Sequence, residues 1–501
     1  MILSPIDYVI IALYFLVIVT IGFVSVKFTK TKEDYLVAGR RLSFPMFFGC
    51  MAAMALGGGS TIGSTELGYA YGFGGIWLNL SIGVGLILAG FLVTSKLAKL
   101  RALSVNEVVE GSYGPTARVF SAVLTLIYEL ALSVVQVVSI GTIINGILGL
   151  NPLWSMLIGG GVVILYTMIG GMWSVTMTDI VQFVVKTVGI LILAPIFCIS
   201  AAGGIDALVS KVPETYFSIG SMGFDKSFAY VVLYVPGLII GQDMWQRIFT
   251  AKNEKVSKRG TIGAGLYSIL YAFATCIIGM SVFVLLPHLD NPQNAFVTGI
   301  STFLPMGIRG LVLAAAVAAT MSVSSSTMLA ASTIVYNDLY ARFINKKADS
   351  ANAVNATRLF ALLTGAVVMV CALWINDVLV GIDISYGYLS GCVFVPLIAS
   401  FVLKRFSPKA GLWSLATSAI VVTGCFVFLG TSSSVPILAG MGTGFATYVI
   451  INLASKDKVP SQFTDGSGRK EAIEPLGTAT DTTLETRANA DQPDPAAPDA
   501  R

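Results

Sequence analysis

Five ionisable side chains, Glu66, Glu129, Asp179, Lys186 and Asp243, fall inside stretches that are otherwise apolar. A charge in a membrane-spanning helix costs about 2.5–3.5 kcal/mol even on lenient scales, so such residues mark ion, proton or solute pathways. Asp179, Gln182 and Lys186 recur at i, i+3 and i+7, one polar stripe of a helix, and Lys186 is expected to form a structural ion pair there. Glu129, Ser133 and Gln136 share a face in the same way, with Glu129 roughly 16 Å into its helix and near the midplane. Ser322, Ser325 and Ser326 fall at i, i+3 and i+4, and Asp243 follows a Pro-Gly interruption. Carboxylates and hydroxyls in apolar surroundings hold cations, amines or protons. Enzyme chemistry is not indicated: no nucleophile–base or metal constellation appears, and the single histidine, His288, excludes His-based triads and multi-His metal sites. Six cysteines (Cys50, Cys198, Cys276, Cys371, Cys392, Cys425) sit in apolar runs and never as CxxC, so they read as packing residues.

The elements that position these residues follow from composition. The chain has 501 residues, of which 55% are hydrophobic and 12% charged, with mean hydropathy +0.81. Soluble domains carry about 25% charge. Soluble enzymes, disordered proteins and nucleic-acid binders are excluded, and the class is an all-α polytopic membrane protein. Spans need roughly 20 mostly apolar residues. Thirteen are read, near 5–26, 44–72, 74–95, 119–147, 152–171, 174–201, 227–247, 260–287, 309–340, 357–375, 378–403, 410–430 and 434–453. The first lacks a basic leader region and a small-residue cleavage site, so it reads as a helix and not a cleavable signal.

Charge sets the orientation. Lys27, Lys30, Lys32, Arg40, Arg41, Lys96, Lys99, Arg101, Arg118, Arg247, Lys252, Lys255, Lys258 and Arg259 fall in loops on one side. Arg342, Lys346, Lys347, Arg358, Lys404, Arg405 and Lys409 join them there, against only Lys211, Lys226 and Arg309 on the other. The N-terminus is expected outside and the C-terminal tail in the cytoplasm, in a cell (inner or plasma) membrane. The tail, Ser455 to Arg501, is acidic and rich in Thr, Ala and Pro, and reads as disordered.

Two spans carry helix breakers at their centres. Span 2 contains Gly57-Gly58-Gly59-Ser60, and span 7 contains Pro236-Gly237 and Gly241-Gln242-Asp243. Unwound backbone at membrane depth is tolerated only where it is buried or lines a cavity. Interrupted helices in corresponding positions of two halves point to a transporter with inverted repeats, here spans 2–6 and 7–11.

At these positions the chain resembles the sodium:solute symporters, a likeness covering about residues 5–455. It rests on Asp34-Tyr35 through Ala38-Gly39-Arg40, on Gly170-Gly171-Met-Trp-Ser through Thr178-Asp179 to Gln182, on Gly241-Gln242 through Gln246-Arg247, and on Ala319 to Ser322 with Asp338-Leu339-Tyr340. The resemblance implies a LeuT-type fold of inverted five-helix repeats and uptake of a small organic solute coupled to inward sodium flow by alternating access. It implies these parts: 1–43, a first helix and loop; 44–404, the core, with repeats near 44–201 and 227–404; 405–454, two further helices; and 455–501, the tail. Sodium ligands implied are the carbonyls of Ala53, Leu56 and Ala319 with the Ser322 hydroxyl. Val323 stands where relatives have a second hydroxyl, so that site loses an oxygen. A second sodium site of some members maps onto Asp179, Ser322, Ser325 and Ser326.

For the solute, the family's lining helix and second break imply Ser60, Glu129, Ser133, Gln136, Gln242 and Asp243. Two acids at one cavity favour a cationic or amine-bearing solute, or a proton-coupled step. Asp383, Tyr386 and Tyr388 would form an outer gate, or else anchor at the interface. The partners expected are the bilayer, a small solute, and sodium or protons, with no nucleic acid and no other cofactor. A passive channel or a sensor remains the alternative from another class, although a channel has no need of matched broken helices.

Overall fold

A computed structural model describes residues 3–98, 100, 102–344, 350–374, 378–430, 435–461 and 463. Among these residues, ten helical runs are long and apolar enough to cross a membrane, and a bent pair makes an eleventh. Of the eleven, Pro152–Ala201 contains two of the thirteen predicted spans, and Gly59–Leu92 joins the second half of span 2 to span 3. Pro152–Ala201 is a 50-residue run, about 75 Å if straight against a hydrocarbon core of about 30 Å. Gly171 divides it, with φ 55° and ψ −141° that only glycine adopts readily. Tyr35 closes over this break, its hydroxyl donating to the carbonyls of Thr167 (3.2 Å) and Met168 (2.9 Å). Thr29 adds a bond to the Gly170 carbonyl at 3.0 Å. Two of the sequence motifs thus meet as a cap on freed backbone. The second double run, Gly59–Leu92, turns at Gly72 between spans 2 and 3.

Burial separates core from periphery. The most apolar window of Ile308–Ile344 (span 9) is 94% buried, whereas those of spans 1, 10, 12 and 13 are between 22% and 28% buried. Span 9 is the axis of the bundle. Its run of alanines, Ala314 to Ala316 with Ala318 and Ala319, is fully buried, as small residues at close helix approaches are. The outer spans expose Leu13, Leu16, Val370, Ile420 and Phe445, the surface expected against lipid tails. Span 1 is fastened at one end through buried Asp7, which caps its own helix with Ser4. The same carboxylate accepts from Gly307 N (2.8 Å), Gly310 N (3.1 Å) and Arg309 Nε (2.6 Å) at the start of span 9.

Both central breaks are present. Phe44–Met54 ends before Gly57, and the chain resumes as a wide helical turn, Gly59–Gly63, continuing into Ser64–Tyr71. Phe224–Ile240 and Gln242–Ile248 meet at Gly241 with a 43° bend. A two-residue antiparallel pair, Arg405–Phe406 with Val459–Pro460, ties the stretch after span 13 to the loop before span 12. The start of the predicted tail is therefore ordered: Ser461 donates to the Ser400 carbonyl (2.6 Å) and Phe463 stacks on Phe401. The rest of the tail lies outside the described residues.

Candidate functional site

The first break frees the carbonyls of Ala53 and Leu56, and both accept hydrogen bonds from the Lys186 ammonium, Leu56 at 3.0 Å. Lys186 is fully buried, and among the described residues it forms no ion pair. The expected ion pair is thus replaced by an ammonium on two peptide oxygens. The glycines of the break allow close packing here. A Cβ on Gly57 would lie 2.7 Å from Gln136 Oε1 and 2.8 Å from Val323 Cγ2. Gln136 Oε1 accepts from the Gly58 amide at 3.1 Å, fixing the unwound backbone to span 4.

Seven residues along from Lys186, Asp179 anchors a second cluster. Its Oδ2 accepts from Arg247 Nη2 at 2.6 Å and from Cys50 Sγ at 3.2 Å, and its Oδ1 from Ser322 Oγ at 2.5 Å. Arg247 Nη2 also donates to Ser326 Oγ. Ser325 and Ser326 both turn back to the Ser322 carbonyl, at 3.0 and 2.5 Å. Asp179, Ser322 and Ser326 converge as the resemblance implied, but around a guanidinium. Ala319 lies within the unbroken helix Ile308–Thr333, one turn before Val323. Reading Arg247 as a loop base requires correction, since it is 1% exposed. Arg118 is likewise drawn inward by Glu110 (2.5 Å) and by the motif residue Asp338 (2.6 Å). The cause is the same in both cases: a buried carboxylate from a distant segment.

Between the breaks lies a cavity. Ala55, Gly57, Gly59 and Ser60 line it from the first break, and Tyr128, Leu132 and Gln136 from span 4. Tyr234, Leu238 and Asp243 contribute from span 7, Val323 from span 9, and Ile382 and Tyr386 from span 11. Of the predicted solute contacts, Ser60, Gln136 and Asp243 are therefore brought together. The other three are not. Tyr128, Leu132 and Gln136 occupy the cavity face at intervals of four, which turns Glu129 and Ser133 about 100° away. Ser133 Oγ instead meets Thr327 Oγ1 at 2.5 Å. Glu129 Oε1 accepts from the Asp243 amide at 3.0 Å, and its Oε2 has no hydrogen-bond partner among the described residues. Gln242 faces the loop before span 4, accepting from Val105 N (2.7 Å) and donating to Leu103 O (3.2 Å).

Among the described residues, Asp243 is the only charged side chain lining the cavity. Its Oδ1 accepts from the Met244 amide at 2.9 Å and from Tyr128 OH at 3.4 Å. Three tyrosines of the cavity form a cluster that begins at Tyr128: the Tyr386 ring is 5.5 Å from that of Tyr128 and 5.1 Å from that of Tyr234. Tyr386, expected at an outer gate, belongs to this cavity. Tyr388 lies outside it, bonding Thr423 at 3.0 Å, and Asp383 is half-buried. Sequence reading missed Tyr128 and Tyr234. A four-residue periodicity backwards from Gln136 finds the first; no comparable signal marks the second.

A family model described as "Sodium:solute symporter family" matches residues 35–417. The chain belongs to the sodium:solute symporter family. Relatives of this symporter include the high-affinity proline transporter PutP of Bacillus subtilis (strain 168), 26% identical, covering 89% of this chain and 98% of that one. The sodium/glucose cotransporter of Vibrio parahaemolyticus is 24% identical over 81% of this chain and 82% of its own. The human sodium/iodide cotransporter is 24% identical over 87% and 67%. Among solved structures, a substrate-bound, outward-open Na+-coupled sialic acid symporter superposes with TM-score 0.79 at 18% identity, covering 91% of this chain and 99% of that chain. MhsT in complex with L-phenylalanine gives 0.52 at 14% identity, covering 83% and 99%. This symporter is thus a multi-pass membrane transporter of the LeuT-type fold, in which sodium-coupled symport is the family's activity. Proline, glucose and iodide share little chemistry, so the solute must be argued from the cavity itself.

Proposed function

We propose that this symporter carries a small organic solute bearing a positively charged nitrogen into the cell, driven by sodium entry. One observation carries the reading: among the described residues Asp243 is the sole charge lining the cavity, and three tyrosines line it too, Tyr128 in contact with Asp243. An ammonium bound there would pair with the carboxylate and lie against aromatic faces, which attract cations by about 0.5–2 kcal/mol each. Carboxylate solutes find no basic side chain in the lining among the described residues. In this reading Ser60 and Gln136 orient the rest of the solute. Sodium enters beside the first break, at the carbonyls of Ala53 and Leu56 with Ala319 and Ser322 nearby. Tyr386 closes the cavity. The basic loops support an outside N-terminus, since nineteen of the twenty-one bases counted there remain after Arg118 and Arg247 are set aside.

The test is uptake into proteoliposomes under an imposed inward sodium gradient, across matched panels of amines, zwitterions, carboxylates and sugars. Amine-bearing solutes should be taken up at least tenfold faster than carboxylates of equal size. Uptake confined to anionic or uncharged solutes would sink the reading.

A further inference from the structure

The Lys186 ammonium stands on the two peptide oxygens assigned above to sodium, and this inference rests on that assignment. Nζ donates to Ala53 O and Leu56 O at the carbonyl end of a half-helix, where the backbone dipole favours a cation. Lysine is fully buried here, yet no carboxylate pairs with it among the described residues. Its nearest acid on the same face, Asp179, is held instead by Arg247 and Ser322. An ammonium and a sodium ion are both monovalent cations of similar reach. They cannot share one pair of carbonyls, because the repulsion between like charges a few ångströms apart is severe in a low-dielectric interior.

We propose that Lys186 is a tethered competitor of sodium. Its ammonium fills the cation seat at the first break when sodium is absent, and sodium binds there only as the ammonium moves off. The four-carbon stem and rotatable head of lysine suit such a displacement, where an arginine's rigid fork would not. Val323 is consistent with it. An ammonium satisfied by two carbonyls has no use for the further hydroxyl that a sodium ion would recruit. The tether keeps the unwound backbone of span 2 satisfied throughout the empty-site part of the cycle, which a mobile ion alone does not. It sets the sodium concentration at which this symporter responds.

The test compares purified wild-type protein with Lys186→Met and Lys186→Arg. Sodium binding is read as thermal stabilisation against NaCl concentration, with KCl holding ionic strength constant. Lys186→Met keeps an unbranched, flexible stem one atom shorter and removes the charge. It should lower the half-saturating sodium concentration at least tenfold, whereas Lys186→Arg, which keeps a tethered cation, should not lower it. A response present only in Lys186→Met is the limiting form of the same result. If Lys186→Met does not fold, Lys186→Gln, which retains an N–H donor for one carbonyl, is expected to behave alike. A fall of less than tenfold, or a rise, overturns the competition while leaving sodium binding intact. Absence of any sodium response in every protein overturns both the competition and the sodium seat.

Discussion

The two interrupted helices are broken for the same purpose and finished in opposite ways. In span 2 the half-helix Phe44–Met54 presents its carbonyl end to the bundle, and a buried cation, Lys186, answers it. In span 7 the break presents the amide start of Gln242–Ile248, and carboxylates answer: Glu129 takes the Asp243 N–H, and Asp243 takes the Met244 N–H. Each follows from the helix dipole, negative at a carbonyl end and positive at an amide start. On the proposed reading this difference divides the labour of symport, the carbonyl-rich break taking the cation and the acid-bearing break the positive end of the solute. Each break offers both a carbonyl end and an amide start, and the charged side chains set beside them, Lys186 at one and Glu129 and Asp243 at the other, make the difference.

The cation side breaks hardest at Asp179. Removing one partner of a buried pair strands the other, at about 3–5 kcal/mol. Asp179→Ala leaves Arg247, 1% exposed, without its counter-charge, and frees Ser322 Oγ as well. We expect a lower melting temperature in detergent and uptake below a tenth of wild type. Preserved melting and uptake would show that the Asp179–Arg247 pair does not hold span 6 to spans 7 and 9. The solute side breaks next, at Asp243→Asn. The amide oxygen still accepts from Met244 N and Tyr128 OH, so melting should be unchanged. Losing the charge from a desolvated ion pair costs about 2–5 kcal/mol, at least roughly thirty-fold in the Kd of an amine. Equilibrium binding of the amine that wins the uptake panel measures this directly, and an unchanged Kd refutes the assigned polarity of the second break.

How far these roles could be read beforehand depends on sequence separation. The stripe Asp179, Gln182, Lys186 was legible because helix geometry alone places it, and so were the two breaks, announced by glycine and proline. Long-range pairing was not. Arg247 sits 68 residues from Asp179 and ends a span, where a basic residue ordinarily marks a loop. Only the approach of span 7 to span 6 turns it inward. The same limit explains Gln242, whose position beside Asp243 suggested the solute. The short half-helix rotates its amide toward Val105 instead. Glu129 was expected on the cavity face and lies off it, because a stripe defined by polarity need not be the stripe that meets a cavity.

A smaller effect sharpens the contrast at the first break. In Gly57→Ala the new methyl would press on Gln136 Oε1 and Val323 Cγ2. Overpacking of this kind costs about 1–3 kcal/mol. Gln136 is the acceptor for the Gly58 amide and lines the cavity, so its displacement should raise the solute KM several-fold with a modest loss of stability. Gln136→Ala in the same background then costs less than it does in wild type, because its bond is already lost. Strict additivity of the two would show that Gln136 had not moved.

Glu129→Gln is the mildest of these changes and the most discriminating. The amide oxygen can still receive the Asp243 N–H, as Oε1 does at 3.0 Å, and the amino group replaces an oxygen that already lacks a partner. If Glu129 serves chiefly to finish the amide start of the half-helix, uptake and melting should stay within about threefold and about 1 kcal/mol of wild type. Glu129→Leu removes the acceptor and strands a buried N–H, at about 1–3 kcal/mol. The pair therefore separates an acceptor from a charge. A Glu129→Gln protein as impaired as Glu129→Leu would mean that the carboxylate itself is used, through its free Oε2, and the second break would then carry two working acids where the geometry of the cavity wall assigns one.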